Sequence, residues 1–366
     1  MKLKDICKFV NEKVDTSSFH LEDYVSTENL LPNKGGVTVA SKIPQGKATL
    51  FKKGDILISN IRPYFKKIYL AKKHGCCSND VLCIRPNSNI PSSYLYYLLS
   101  QDSFFDYVMT GAKGTKMPRG DKGHIMNWAV YQSTLSQQQN IAEILTPLDD
   151  KIAVNSRICA NLEAQAEALF KSWFVDFTPF KDQPFVDSEL GPIPQGWKVG
   201  TLGEFFPIVT GKKDANISSK SGKYPFFSCS QNISWTNDYS FDGFAIIVAG
   251  NGDFNVKWYN GKFEAYQRTY VLIPYNPTLT SWLYYAVKYN LNMITIGARG
   301  SVIKFITKGD IQNFKVAYPQ NIDKHEIVKM LGKINKDIEH NKNEVSCLAK
   351  LRDTLLPKLM SGEIKL

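Results

Sequence analysis

The sequence predicts an α+β protein in which two globular domains are separated by two long helices that pair as an antiparallel coiled coil. Three observations predict this fold: an internal duplication, a heptad pattern in each copy, and short strand-like runs ahead of each heptad segment. A chain of 366 residues also exceeds what one ordinary core needs. The predicted order is a first domain at 1–136, a first helix at 137–175, a linker at 176–196, a second domain at 197–320, and a second helix with a C-terminal tail at 321–366.

The duplication appears when the chain is shifted by 186 positions. GAKGTK, which begins at Gly111, then falls on GARGSV, which begins at Gly297, and the register continues without a gap. Between 111–174 and 297–360, 14 positions are identical. Upstream the similarity is weaker, although SYLYY from Ser93 still resembles SWLYY from Ser281 at a shift of 188. The fold is therefore predicted to be a pseudo-twofold internal repeat.

Both helical segments carry apolar residues at alternating spacings of four and three, which is a heptad pattern. Asn155 and Asn341 occupy the same heptad position, and buried amides of this kind fix helix register by pairing with each other. The alternative is an ordinary core helix with an asparagine at a solvated edge. The predicted pairing seam consists of Ile141, Leu145, Leu148, Ile152, Asn155, Leu162, Leu169, Ile327, Leu331, Ile334, Ile338, Asn341, Leu348 and Leu355.

Each globular domain is predicted to hold a mainly antiparallel, irregular sheet followed by a helix. Short β-branched and aromatic runs indicate the strands, and Asn-Gly pairs indicate hairpin turns. The predicted strands lie at 54–59, 81–86, 244–249 and 269–274, the helices at 92–105 and 280–289, and the hairpin turns at 251–253 and 260–261.

The net charge of +11 lies mainly in the two domains. Residues 1–136 hold 19 Lys and Arg against 11 Asp and Glu, and residues 176–320 hold 14 against 11. Residues 137–175 hold 3 against 5, and residues 321–366 hold 9 against 7. Positive charge concentrated in the globular segments indicates a polyanionic partner, with nucleic acid the leading candidate.

The remaining composition indicates a cytoplasmic protein. No apolar run is long enough for a membrane span, and the charged N-terminus does not read as a signal peptide. Seven cysteines without a CxxC pair fit a reducing compartment. They read best as buried small hydrophobic residues, with His74-Gly-Cys-Cys as a metal site the alternative.

Catalytic motifs are not found in the sequence. It contains no GxxxxGK[ST] loop and no [ND]PP[YF] tetrapeptide, and its five histidines are scattered. The Gly111 loop also argues against nucleotide binding, because its second copy replaces Lys116 with Val302. We interpret it as a hinge piece that opens a repeated module, with Lys113 and Arg299 touching DNA phosphate. No catalytic residue, metal ligand or cofactor is predicted in this chain.

Basic residues interleaved with aromatic ones are the strongest functional signal. Lys and Arg neutralise phosphates, while Arg and Tyr on loops can contact base edges. For any single residue, an ordinary solvated charge is the alternative. The candidate DNA-binding residues are Lys34, Lys52, Lys53, Arg62, Tyr64, Lys66, Lys67, Lys113, Lys116 and Arg119 in the first domain, and Lys212, Lys213, Lys220, Lys223, Lys257, Arg268, Arg299 and Lys304 in the second.

Taken in order, these features resemble the specificity (S) subunit of type I restriction–modification systems. The resemblance covers nearly the whole chain and rests on GDILISNIRP at 54–63, YLYYLL at 94–99, the loops at Gly111 and Gly297, and QQNIAEIL at 138–145. The chain departs from the family where Pro-Leu-x-Glu-Gln often precedes the helix, since it has Leu-Ser-Gln-Gln there.

The resemblance implies a non-catalytic DNA reader with two target recognition domains, each binding one half of a bipartite site in double-stranded DNA. The paired helices would set the spacer between the half-sites. Two modification (methyltransferase) subunits, carrying S-adenosylmethionine, and one restriction subunit would be the protein partners. Two alternatives stay open: a DNA-binding enzyme, either a methyltransferase or a nuclease, with an unrecognised site, and a coiled-coil scaffold that binds only proteins.

Overall fold

The computed structural model describes residues 1–219 and 222–366, which form two compact units. Unit 1 comprises Met1–Val154 and Glu344–Leu366, and unit 2 comprises Asn155–Asn343. Each unit therefore contains one globular domain together with parts of both long helices. Within the described residues, no helix is both long enough and apolar enough to cross a membrane.

Unit 1 begins with short strands and short helices and then enters the first long helix. The strands are β1 (Cys7–Phe9), β2 (Lys13–Asp15), β3 (Tyr24–Val25), β4 (Lys47–Phe51), β5 (Ile56–Ser59), β6 (Ile68–Leu70), β7 (Gly75–Cys77) and β8 (Val81–Pro86). The helices are α1 (Ser92–Leu99), α2 (Asp102–Thr110), α3 (Lys122–Met126) and α4 (Leu135–Phe174), the last of which continues into unit 2.

The strands of unit 1 form two four-stranded sheets, in the orders β1-β8-β5-β6 and β2-β4-β7-β3. Only the β3–β7 pair is parallel among the strand pairs of this unit. Strand β5 is buried on both faces because its side chains alternate between two cores. Ile56 and Ile58 pack with α1, whereas Leu57 packs in a separate cluster with Phe51 and Val81. This explains why β5 reads as a continuous apolar run.

The single helix predicted at 92–105 is wrong, because the chain forms α1 and α2 with a break at Ser100 and Gln101. The hydroxyl of Ser100 donates to the carbonyl of Tyr96 at 2.7 Å, which helps to close the end of α1. Gln101 then adopts an extended conformation before α2 begins. Apolar residues on both sides of the break are buried, so the helical period continues across it and hides the break in the sequence.

Unit 2 repeats this plan after the linker. Its strands are β9 (Phe185–Val186), β10 (Ile193–Pro194), β11 (Trp197–Thr201), β12 (Ile208–Thr210), β13 (Tyr224–Phe227), β14 (Ser234–Thr236), β15 (Phe244–Ala249), β16 (Val256–Asn260), β17 (Glu264–Ala265), β18 (Thr269–Leu272) and β19 (Lys315–Pro319). Its helices are α5 (Thr280–Tyr289), α6 (Leu291–Thr295), α7 (Lys308–Gln312) and α8 (Glu326–Ser361), the last of which returns to unit 1.

The sheet β12-β18-β15-β16 of unit 2 has the same order of equivalent strands as β1-β8-β5-β6 of unit 1. The turn predicted at 251–253 joins the antiparallel strands β15 and β16. The hairpin predicted at 260–261 is wrong, because β17 follows it and pairs in parallel with β13 instead of folding back on β16. Gly261 exchanges backbone hydrogen bonds with Gly243, which extends the β15–β16 pairing by one residue pair before the chain enters β17.

The two long helices run antiparallel in both units. Helix α4 has 40 residues and α8 has 36, so they extend over about 60 Å and about 54 Å. In unit 1, Leu148 of α4 and Leu355 of α8 pack against the same core. In unit 2, the thiol of Cys159 approaches the carbonyl of Ile338 at 3.6 Å. The predicted fold class, two α+β domains with two antiparallel paired helices, is confirmed.

Candidate nucleic-acid interface

In unit 1, the glycine-rich loop forms a small hairpin that is joined to the turn after β5. Lys113 and Arg119 exchange two backbone hydrogen bonds of 2.9 Å, which close the loop at 114–118. Arg62, in the turn after β5, donates its backbone N–H to the carbonyl of Pro118 at 2.8 Å. The predicted hinge piece is therefore a hairpin that is hydrogen-bonded to the turn after β5 of the β1-β8-β5-β6 sheet.

A second loop packs against the same turn. Asn33 and Lys34 donate backbone N–H groups to the carbonyls of Phe65 and Lys66, at 2.8 and 2.9 Å. The side chains of Lys34 and Lys66 both contact the carboxylate of Asp102, at 3.1 and 2.9 Å. Burial would raise the pKa of Asp102, but the hydrogen bonds from these lysines hold it below its usual range. We call residues 32–34, 60–67 and 113–120 loop cluster 1.

Loop cluster 1 contains four non-glycine residues in the left-handed backbone region. Asn33 has φ 54°, Lys34 has φ 61°, Arg62 has φ 51° and Lys66 has φ 52°. This conformation costs a residue with a Cβ about 1–2 kcal/mol. Strain of this kind is typical of functional sites, where the side chain must be presented in one direction.

Two candidate DNA-binding residues at the base of the hairpin are already ion-paired. Lys113 contacts Asp121 at 2.9 Å, and Arg119 contacts Asp80 at 3.1 Å. The hydrogen bond from Lys113 lowers the pKa of Asp121 to about 2. Both pairs are exposed, so a DNA phosphate would compete with Asp121 and Asp80 for the two basic side chains.

Unit 2 contains the same hairpin, displaced by 186 positions. Arg299 and Phe305 exchange backbone hydrogen bonds of 2.9 and 2.8 Å, which close the loop at 300–304. Gly252, in the turn after β15, donates its N–H to the carbonyl of Lys304 at 2.9 Å. The turn and hairpin of each unit are therefore joined through equivalent backbone atoms.

The two hairpins differ at their tips more than at their bases. At the base, Arg299 contacts Asp310 at 3.5 Å, as Lys113 contacts its own acid in unit 1. At the tip, unit 1 presents the exposed Lys116, whereas unit 2 presents Val302, which is 92% exposed, and Ile303, which is 59% exposed. The repeated backbone therefore carries its exposed lysine at a different position of each tip, Lys116 in unit 1 and Lys304 in unit 2.

Other loops of unit 2 converge near its hairpin. Gln267 donates its backbone N–H to the carbonyl of Lys213, and Gly250 donates to that of Arg268, both at 2.9 Å. Lys257 donates its side chain to the carbonyl of Ser230 at 2.8 Å. Burial lowers the pKa of Lys257. We call the residues that meet here, at 211–214, 229–231, 250–257, 266–268 and 299–305, loop cluster 2.

The structure brings most of the candidate DNA-binding residues into the two clusters. Lys52 and Lys53 lie ahead of β5, at the opposite end of that strand from Arg62. Lys223 lies just before β13, at the opposite end of that strand from the 229–231 loop, and Lys220 lies outside the described residues. Loop cluster 1 holds Lys34, Arg62, Tyr64, Lys66, Lys67, Lys113, Lys116 and Arg119, and loop cluster 2 holds Lys212, Lys213, Lys257, Arg268, Arg299 and Lys304.

All fourteen predicted seam residues lie in buried or half-buried positions of α4 and α8. Asn155 is fully buried. The side-chain amide of Asn341 donates to the carbonyl of Asp337 in its own helix at 2.7 Å. The mutual pairing of the two asparagines stays a prediction.

Sequence reasoning missed the polar contacts that attach each domain to the long helices. In unit 1, Asp149 accepts a hydrogen bond from the hydroxyl of Tyr97 at 2.9 Å and one from Arg352 at 2.7 Å. In unit 2, Asn335 accepts from the hydroxyl of Tyr285 at 2.8 Å. The repeat contained the signal, because Asp149 and Asn335 are 186 positions apart and the two tyrosines are 188 apart.

The adjacent cysteines of β7 are core residues. Cys76 and Cys77 are both buried and pack in different hydrophobic clusters, because neighbouring side chains of a strand point to opposite faces. Burial raises the pKa of Cys76 to about 11 and that of Cys77 to about 12, which disfavours the thiolate a metal would require. In the part of the chain that the structure describes, no group of three His, Cys, Asp or Glu side chains is placed to hold a metal ion.

Comparison with known proteins gives the same family for both halves of the chain. The family model for the type I restriction modification DNA specificity domain matches residues 1–164 and 194–345. The EcoDI specificity subunit of Escherichia coli is 39% identical over 178 residues, a match that covers 48% of this chain and 40% of that protein. The MjaIX specificity subunit of Methanocaldococcus jannaschii is 25% identical over 372 residues, covering 94% of this chain and 85% of that protein.

Among solved structures, the S subunit of a type I restriction–modification system from M. genitalium has the same fold. The TM-score is 0.65 at 17% sequence identity, and the match covers 98% of this chain and 95% of that one. The resemblance drawn from the sequence is confirmed. This chain belongs to the type I restriction modification DNA specificity domain family.

Proposed function

We propose, from the membership of this chain in the DNA specificity family, that it is the sequence-specificity subunit of a type I restriction–modification complex. Unit 1 would read one half of a bipartite site in double-stranded DNA, and unit 2 would read the other. The observation that carries the proposal is the separate match of residues 1–164 and 194–345 to a DNA specificity domain. A chain with two such domains has two surfaces with which to read DNA.

The loop clusters support the reading of two different half-sites. Both are built on the same joint between a turn and a hairpin, so the two units present their loops in the same way. Their exposed side chains differ, for example Lys116 in one hairpin tip and Val302 in the other. Basic side chains in each cluster would neutralise phosphates, while residues on the turns would contact base edges. The half-sites read by the two units should therefore differ in sequence.

The long helices would set the spacer and dock the protein partners. An α-helix keeps a rise of 1.5 Å per residue, so the length of the pair is a fixed quantity. Two modification subunits would dock on the helices and domains, and a restriction subunit would complete the assembly in the cytoplasm. The S-adenosylmethionine and the methyl-transfer chemistry would belong to the modification subunits, and this chain would be non-catalytic, with no cofactor of its own.

The proposal is tested by co-expressing the chain with its modification subunit and mapping methylated adenines in the host DNA. We expect one bipartite motif with a spacer of constant length. Methylation without a bipartite motif, or no methylation beyond that of the modification subunit alone, would contradict the proposal.

The two alternatives have their own tests. Transfer of labelled methyl groups by the isolated chain, or DNA cleavage by it, would identify an enzyme. A scaffold that binds only proteins would show no salt-dependent binding to duplex DNA, either alone or with its partners. We expect DNA binding that weakens with salt, because several phosphates exchange their counterions for lysine and arginine.

The role of the helices is tested by inserting seven residues into each helix at paired positions, which preserves the heptad phase. Each helix then lengthens by about 10 Å. The spacer in the methylated motif should lengthen while both half-sites keep their sequence. A change in the half-sites with a constant spacer would contradict the proposed role.

A further inference from the structure

The turn after β5 in unit 1 and the turn after β15 in unit 2 place Arg62 and Gly252 at equivalent backbone positions. Arg62 donates its N–H to the carbonyl of Pro118, as Gly252 donates its N–H to that of Lys304, and these carbonyls are 186 positions apart. A neighbouring backbone contact between hairpin and turn is also repeated. Gly120 donates its N–H to the carbonyl of Asn60 at 3.3 Å, and Ile306 donates its N–H to the carbonyl of Gly250 at 2.9 Å. The two turns can therefore be compared residue by residue.

The backbone at this position favours glycine. Gly252 has φ 69°, and Arg62 has φ 51° with ψ 62°, so both lie in the left-handed region. Glycine adopts this conformation without a Cβ clash, whereas arginine does so at a cost in free energy. Unit 2 has the residue that suits the backbone, and unit 1 instead has a strained residue with a long cationic side chain. The strain indicates that the Arg62 side chain has a role there.

The Arg62 side chain also has unused hydrogen-bonding capacity. Its Nε is buried without a hydrogen-bond partner among the described residues. Three basic side chains of loop cluster 1 are ion-paired near this turn: Lys34 and Lys66 with Asp102, and Arg119 with Asp80. Within the described residues, Arg62 has no such acidic partner. A buried donor without a partner is unfavourable, so the Arg62 side chain would gain free energy by turning toward a ligand that accepts hydrogen bonds.

We propose that Arg62 is the side chain with which unit 1 recognises a guanine, by donating hydrogen bonds from its guanidinium to O6 and N7 in the major groove. The inference rests on the proposed function of the chain. Arginine paired with the guanine edge is the commonest specific contact in the major groove, and its planar fork fits both acceptors at once. The left-handed backbone sets the direction in which the half-buried side chain leaves the turn. Gly252 has no side chain for an equivalent contact, so unit 2 reads its half-site with other residues.

The test compares Arg62→Gly and Arg62→Lys in the full chain, co-expressed with the modification subunit, by mapping methylated adenines. We expect both variants to accept other bases at one guanine position of one half-site, with discrimination there reduced roughly ten- to hundred-fold. The other half-site and the spacer should stay unchanged. Lys8→Gln removes one exposed positive charge from β1, outside loop cluster 1, and should leave the motif intact.

Thermal unfolding of the same variants separates recognition from folding. Arg62→Gly should unfold at the same temperature as the parent chain or higher, because glycine suits the backbone, and Arg62→Lys should stay close to the parent. A motif that keeps its guanine while methylation falls equally at all sites would identify a phosphate contact and overturn the assignment. Loss of both half-sites together with lower stability would identify a structural role and overturn it as well. Absence of any bipartite motif for the parent chain would instead refute the proposed function, and the Arg62 assignment with it.

Discussion

Where the domain meets the long helices, unit 1 and unit 2 have equivalent buried apolar residues, such as Leu145 and Leu331, but different polar contacts. In unit 1, the hydroxyl of Tyr97 donates to Asp149, which also accepts from Arg352. The equivalent tyrosine of unit 2 donates to Asn335, and the position of Arg352 is taken by Ala166, which is fully buried. The two positions that hold a charged pair in unit 1, Asp149 and Arg352, therefore hold uncharged residues in unit 2, Asn335 and Ala166.

The difference shows that polar partners change together. Asp149 without Arg352, or an arginine at 166 beside Asn335, would leave a charge without a partner at a buried contact. Losing one partner of such a pair costs more free energy than replacing both. The ion pair of Lys288 with Glu163 in unit 2, at 2.8 Å, follows the same rule. The equivalent positions in unit 1 hold a serine and an alanine, so both charges are missing together.

The largest change in the free energy of unfolding is expected for the equivalent buried apolar residues of the two units. Leu145 and Leu331 are equivalent residues of the repeat, and both are fully buried in the cores of their units. Leu145→Ala and Leu331→Ala should each lower the free energy of unfolding by about 2–5 kcal/mol, because each leaves a cavity. Chemical denaturation measures the change, with Leu351→Ala, at a side chain 45% exposed, as the control. A large loss of stability for one of these variants and none for the other would show that Leu145 and Leu331 do not have equivalent roles in their cores.

A smaller loss of stability is expected when Asp149 is replaced by asparagine, the residue at the equivalent position of unit 2. Asp149→Asn leaves Arg352 without its half-buried carboxylate and should lower the free energy of unfolding by about 1–3 kcal/mol. Asp353→Asn removes the other acid that contacts Arg352, but its side chain is 54% exposed. This control should change stability by less than about 0.5 kcal/mol. Equal effects of the two variants would contradict the idea that burial makes the Asp149 contact the stronger one.

Substitutions at Arg62 and Gly252 should change the free energy of unfolding in opposite directions. Arg62→Gly should raise the free energy of unfolding by about 1 kcal/mol, because it removes the cost of the left-handed backbone. Gly252→Ala should lower it by about 1 kcal/mol for the same reason. A Cβ at Gly252 would meet no atom within 4 Å, so the expected loss comes from the backbone conformation and not from a clash. Changes of the same sign in both variants would show that the turns are not equivalent.

The smallest expected effect concerns the acids at the hairpin bases, and nuclear magnetic resonance titration can measure it. The pKa of Asp121 is about 2, below the ordinary value of 3.8, so its contribution to stability is present above about pH 4 and is lost as the pH falls through 2. Lys113→Ala should raise this pKa towards its ordinary value, because the hydrogen bond from Lys113 is the largest cause of the shift.

Asp310, the acid that contacts Arg299 in unit 2, provides the comparison for that titration. Burial would raise the pKa of Asp310, but the backbone N–H and hydroxyl of Thr307, and then the charge of Arg299, lower it overall. Arg299→Ala should therefore raise the pKa of Asp310 by less than Lys113→Ala raises that of Asp121. A larger change at Asp310 would show that Arg299 is its main partner.

Much of the fold could be predicted because it depends on patterns that are local or repeated. Helices α4 and α8 are visible as heptads, since burial against a partner helix selects apolar residues at a fixed period. Strands β5 and β15 are visible as short apolar runs between turn residues. The break between α1 and α2 was missed, because Leu99 and Phe104 are both buried and the helical period continues across Ser100.

The candidate site was predictable in composition more than in geometry. Basic residues on loops indicated a polyanion, and most of them do lie in the two loop clusters. The partners that hold them, such as Asp102 for Lys34 and Lys66, are distant in sequence and left no pattern. The left-handed conformation of Arg62 was equally hidden, because a residue's name does not show that its backbone is strained.

The duplication, the heptad helices, the basic character of the domains and the family could all be predicted before folding was considered, because each depends on residue type and spacing along the chain. The half of each helix that packs with a given domain, and the charges that are paired, became known from the folded chain alone. Folding also separated Lys52, Lys53 and Lys223 from the loop clusters and left Arg62 without an acidic partner among the described residues. The physical reason is that burial and electrostatics act between atoms close in space, and chain folding brings those atoms together from positions far apart in sequence.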